Sequence, residues 1–215
     1  MTISVLFLGE GTSDSGIVPQ VETVAARLEI EVAITDPDLG RLKSPPGKTL
    51  YDKLRVSLEI GGKYDLIVLH RDADRDGRAA RLSEMASAIK KAAPDARYVP
   101  VIPVKMTEAW LLTDEHALRQ VAGNPKGRIP LNIPPVARLE NLPDPKKTLK
   151  DTLGIASGQS GRNLAKFHTR FSQHRRQLLE RLDPDGNVCR LSSWQHFVAD
   201  IETGLREAAS CVHET

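Results

Sequence analysis

Two apolar runs, Leu6-Phe7-Leu8 and Leu66-Ile67-Val68-Leu69, contain no polar side chain that could face solvent. A strand that is apolar on both faces must be covered on both, as in a parallel sheet between helices. Each run stops at carboxylates. The first continues as Gly9-Glu10-Gly11-Thr12, the second as His70-Arg71-Asp72-Ala73-Asp74-Arg75-Asp76-Gly77. Both stops adjoin glycine and the start of an expected helix. In open α/β sheets, ligands bind outside the carboxyl ends of the strands. A glutamate from one strand end and an Asp-x-Asp from another are therefore placed to share one divalent cation, which makes phosphate-ester chemistry the leading expectation.

The first half of the chain alternates strand and helix signals. Strands are expected over residues 3–8, 30–34, 64–69 and 98–104. Helices are expected over 13–28, 49–60, 78–92 and 108–121. Ser13 or Asp14 can cap the first helix, Gly61-Gly62 closes the second and Pro94 ends the third. Pro100 and Pro103 assign the fourth strand to a sheet edge or an early end. Such alternation implies right-handed crossovers and about four mostly parallel strands. Residues 1–122 form this α/β core, and 123–145 read as a proline- and glycine-rich loop. Residues 146–215 read as a helical C-terminal extension packed on the core, with helices over 146–153, 163–182 and 192–209.

Composition narrows the class. A chain of 215 residues that is 40% hydrophobic and 27% charged can build a core. With only 4% aromatics, that core should rest on Leu, Val, Ile and Ala. The net charge of +2 permits nucleic-acid binding without arguing for it. Cys189 and Cys211 are far apart and form no metal-ligand spacing, so they read as reduced thiols of a cytoplasmic protein. No apolar stretch approaches the roughly 20 residues of a membrane span.

Each motif has a plain alternative. In an extended segment the side chains of Asp72 and Asp74 point the same way and can reach one hard cation; otherwise they are acidic loop residues before a helix. The pattern Asp72-x-Asp74-x-Asp76-Gly77 opens like a calcium loop. Its twelfth position is Ser83 rather than glutamate, and a strand precedes it, so an EF-hand is excluded. Gly9-Glu10-Gly11-Thr12 is neither a Walker loop nor a complete dinucleotide fingerprint, since Asp14 stands where a third glycine belongs and Gly16 comes two late. Glu108 falls in the first turn of a helix, as a further metal ligand or as favourable charge at a helix start. His70 adjoins the acidic cluster as an acid/base candidate. Lys146-Lys147 and the set Arg162, Lys166, Arg170, Arg175 and Arg176 are either phosphate contacts or a solvated helix face.

Glu10 after strand one and Asp72-x-Asp74 after strand three resemble a Toprim domain, the topoisomerase–primase fold shared with OLD-type nucleases. Gly9-Glu10-Gly11-Thr12-Ser13-Asp14, Asp72-Ala73-Asp74, Glu108-Ala109-Trp110-Leu111-Leu112 and Asp144-Pro145-Lys146 resemble one uncharacterised bacterial Toprim-like family in particular. The resemblance covers about residues 1–150. It implies that Glu10, Asp72 and Asp74 gather magnesium, with manganese as a substitute, and that Glu10 also serves as general acid/base. It implies further that Asp76 or Glu108 completes a second metal site and that Lys146 contacts the scissile phosphate. The expected activity is metal-dependent cleavage of nucleic acid, DNA before RNA, beside a partner ATPase and in phage defence by analogy; a homodimer is compatible with it. The alternative is a regulatory module that holds metal or nucleotide without turnover. A phosphotransfer enzyme is a third reading, because those folds also place aspartates at strand ends.

Overall fold

The computed structural model describes residues 2–73, 76–104 and 106–212. Four strands, β1 (Thr2–Leu8), β2 (Glu31–Thr35), β3 (Leu66–His70) and β4 (Tyr98–Val101), form one sheet in the order β2-β1-β3-β4. Every pairing is parallel: Val5 lies opposite both Ile34 and Leu66, and Ile67 lies opposite Tyr98. The chain leaves β1 towards β2 on one side and later returns to build β3 and β4 on the other. The order therefore reverses between β1 and β3, and at such a switch point a crevice opens beyond the strand ends. β4 is an edge, where Pro100 is accommodated.

The apolar runs split by parity. Ile3, Val5 and Phe7, with Leu66 and Val68, face a core shared with α1 (Val18–Arg27) and the C-terminal helices. Leu6, Leu8, Ile67 and Leu69 face Leu54 of α2 (Leu50–Gly61) and Met85 and Ile89 of α3 (Gly77–Ala92). Successive side chains of a strand point to opposite faces, so a wholly apolar strand feeds two cores.

Boundaries differ from expectation where local caps decide. A 3₁₀ turn over Thr12–Ile17 precedes α1. The helix expected over 108–121 breaks into α4 (Glu108–Leu111) and α5 (Glu115–Val121), because the Asp114 side chain caps the second piece by accepting the Ala117 N–H at 3.0 Å. The loop over 123–145 contains a short helix, α6 (Val136–Leu139). Beyond it come α7 (Pro145–Ser157), α8 (Gly161–His168), α9 (Phe171–Glu180) and α10 (Ser192–Val212). α8 and α9 replace the single helix expected over 163–182. No helix among the described residues is long and apolar enough to cross a membrane.

The few aromatics do more than their number suggests. Trp110 of α4 meets Trp194 of α10 edge to face at 5.1 Å, and its Nε1–H donates to Ser193 Oγ at 2.7 Å. α9 is also closely packed. It packs on the 3₁₀ turn, where a Cβ on Gly16 would lie 2.5 Å from the Leu179 Cβ and 2.8 Å from the Arg176 carbonyl oxygen. Gly16 thus serves helix docking, which explains why it does not fit a dinucleotide fingerprint.

Candidate functional site

The crevice beyond β1 and β3 holds a buried chain of charges. His70, the last residue of β3, has no exposed surface. Its Nδ1 lies 3.3 Å from Asp14 Oδ2, and its Nε2 lies 3.6 Å from Asp72 Oδ1. Neither contact meets hydrogen-bond geometry, yet both carboxylates lie close enough to favour the charged ring. Burial alone would depress the imidazole's pKa; the two aspartates outweigh it and lift the value from 6.5 to about 10. His70 is therefore an imidazolium at neutral pH.

Asp14 opposes it. Burial would raise this carboxyl, yet His70, Arg175 and the Gly11 N–H hold it well below the usual carboxylate range. Gly11 N–H donates to Asp14 Oδ2 at 3.0 Å, and Arg175 Nη2 donates to Oδ1 at 2.7 Å. This close approach depends on Gly9, where a Cβ would lie 2.8 Å from that of Asp14. Asp72 accepts the Thr107 N–H at 3.1 Å. Arg175 also donates to Ser13 Oγ at 3.0 Å and to Thr107 Oγ1 at 2.9 Å, joining the β1 turn to the start of α4.

Glu108 stands apart. It has no exposed surface, and neither carboxylate oxygen has a hydrogen-bond partner, although Arg175 Nε lies 3.2 Å from Oε1. Burial raises its pKa most, Arg175 and Lys146 lower it, and nearby Asp72 raises it further. Lys146, exposed near the start of α7, is thus close enough to act on Glu108.

Glu10 lies at the rim, half-buried and paired with Arg71 at 2.7 Å. Burial raises its pKa against the pull of Arg71. Arg71 continues to Glu84 at 3.1 Å, and Arg81 joins Glu84 to Asp76, both at 3.1 Å. Asp76 is thus turned towards Arg81 at the start of α3. Lys53 Nζ donates to the carbonyl oxygens of Gly9 at 3.1 Å and Glu10 at 2.8 Å, fixing the turn. A cavity of about 360 Å³ opens beside this turn, with Glu10, Lys53, Asp36, Asp38 and Arg176 on its walls.

Of the residues expected from sequence, Asp72 lies near Glu10 on one side and near Glu108 on the other, and Lys146 lies near Glu108. Asp74 lies outside the described residues. Asp14 is more than the helix cap expected of it, and Arg175, expected on a solvated or polyanion-facing surface, turns inward. A signal for it existed. Phe171, His174, Leu178 and Leu179 make the inner stripe of α9, and Arg175 falls within that stripe by period.

The oxygen-only donor set of Glu10, Asp72 and Glu108 suits a hard divalent cation. Glu108 is the clearest deficit: it is paired with Arg175, yet neither of its buried oxygens accepts a hydrogen bond, which is costly. Among the described residues, no three His, Cys, Asp or Glu side chains are already gathered as a metal-binding group. Comparison of the chain with protein-family models, with curated proteins and with solved structures finds no match in any of the three.

Proposed function

We propose that the protein is a divalent-cation-dependent phosphodiesterase acting on nucleic acid, DNA before RNA. The observation that carries this reading is Glu108: a fully buried carboxylate, paired with Arg175 but with no hydrogen bond to either oxygen, near Asp72 at the carboxyl edge of a parallel sheet. Glu10, Asp72 and Glu108 would hold the cation, with Asp74 as the further donor expected from sequence. When bound, magnesium or manganese supplies charge stabilisation at the phosphoryl oxygens. The remaining roles belong to the chain. His70 and the Thr107 N–H fix Asp72, and Lys53 fixes the backbone that presents Glu10. Glu10, raised by burial yet open to the cavity, gives or takes the proton at its carboxylate. Lys146 meets the substrate phosphate. Action beside a partner ATPase and a role in phage defence rest on the Toprim resemblance alone.

A second reading has its own observation. Asp14 and Asp72 are already balanced by His70 and Arg175, and Glu10 by Arg71. A module that binds metal or nucleotide without turnover needs no more than that. The two readings separate when wild type, Asp72→Asn and Glu10→Gln are incubated with supercoiled plasmid, linear duplex, single-stranded DNA and RNA, in magnesium, manganese or chelator. The enzyme reading expects cleavage that stops in chelator and falls at least about 100-fold in both variants, since lost charge stabilisation is worth several kcal/mol. Cleavage that persists in chelator or at wild-type rate in Asp72→Asn would overturn it.

A further inference from the structure

A second cavity, of about 500 Å³, lies on the other side of α9, between the end of α5 and the α8–α9 hairpin. Lys166, Arg170, Gln159, Asn163, Phe167 and His174 line it, and no Asp or Glu does. Lys166 and Arg170 are exposed, and neither has a carboxylate partner among the described residues. Several arginines elsewhere, among them Arg27, Arg71, Arg78 and Arg175, are ion-paired. His174 is buried and stacks on Phe167 with centroids 4.3 Å apart, and its Nδ1 has no hydrogen-bond partner within the protein. Burial, helped by Arg170 and His168, lowers its pKa, so the ring is neutral and adds a hydrogen-bonding group rather than a third charge.

We infer that this cavity is a phosphate-binding site, distinct from the carboxyl-edge site, that takes the backbone of a single-stranded nucleic acid. Two unpaired cations supply the attraction. The side-chain amides of Gln159 and Asn163 supply neutral donors, and the volume admits a nucleotide rather than a bare ion alone. The site does not require the carboxyl edge to be catalytic, so the two proposals fail separately.

The test is binding of a fluorescent 12-mer oligothymidylate in chelator, followed by anisotropy across a salt series, for wild type, the control K90A and the double variant K166A/R170A. Inorganic phosphate and thymidine monophosphate are titrated separately as competitors. The expected result is a loss of at least tenfold in K166A/R170A, with the log affinity–log salt slope smaller by about 1.4, at roughly 0.7 per lost phosphate contact. K90A, which removes an exposed cation from the last turn of α3, should bind like wild type. Competition by thymidine monophosphate at much lower concentration than inorganic phosphate assigns a nucleotide source. Equal competition assigns the phosphate alone and overturns the nucleic-acid part of the inference. An unchanged slope in the double variant, or no binding of any probe to wild type, overturns the site itself. Circular dichroism of the double variant confirms that its fold is intact.

Discussion

The two sides of α9 treat charge in opposite ways. On one side Arg175 enters the interior and is met by Asp14, Glu108, Ser13 and Thr107. On the other, Arg170 and Lys166 stand over a cavity with no acid in its lining. A buried charge must be matched by its own protein, because desolvation without a partner costs several kcal/mol. An exposed charge need not be, and remains available to a ligand. Matched buried charge therefore holds the carboxyl edge in shape, and the two unmatched cations over the second cavity remain free to meet a ligand. Glu108 is the exception on the matched side, a buried acid with no hydrogen bond, and for that reason it carries the cation proposal.

The sharpest way to break this contrast is Arg175→Ala. It strands Asp14 and Glu108 in the interior and should cost about 3–5 kcal/mol in urea unfolding. The adjacent Arg176→Ala removes a half-exposed surface pair with Glu180 and should cost under about 1 kcal/mol. Equal losses from the two changes would show that burial does not divide the roles.

Next in size is Gly16→Ala. The added methyl meets Leu179 and the Arg176 backbone, so α9 must shift or strain, at about 1–3 kcal/mol. If α9 is the element that positions Arg175, this variant should also weaken whatever the carboxyl edge binds. Lost stability with untouched binding would separate docking from the site.

The contrast also predicts a pH dependence of stability. His70 has a folded pKa of about 10 against an ordinary 6.5. Its contribution is complete below about 6.5 and is lost as pH rises towards 10. Glu10 and Glu108, both raised, lean the same way. Asp14 is depressed from 3.8, so its contribution is complete above about 4 and is lost as pH falls below that. Thermal unfolding across pH 3–10 should therefore show greatest stability between about 4 and 6.5. The acid limb should flatten in Asp14→Asn and the alkaline limb in His70→Gln. A profile still rising from pH 7 to 9 would contradict the imidazolium.

What was legible in the sequence follows the range of the interactions. The strands were legible because an apolar run such as Leu66-Ile67-Val68-Leu69 needs no distant information, and Pro100 and Pro103 gave away the edge. Glu10 and Asp72 were legible because strand-end position alone brings them to the switch point. Asp114 was a missed local signal: a capping aspartate within an apparently continuous helix. The division of α8 from α9 carried no glycine or proline at the break. Asp14 and Arg175 could not be joined from sequence at all, since 161 residues separate them and only the docking of α9 against Gly16 brings them together.

Calorimetric titration of manganese into the metal-free protein at pH 7, beside Asp72→Asn and Glu108→Gln, tests the central claim most directly. The account predicts saturable binding in wild type that is lost or weakened by at least tenfold in both variants, while their circular dichroism stays unchanged. Absence of binding in wild type, or identical isotherms in all three proteins, would contradict it.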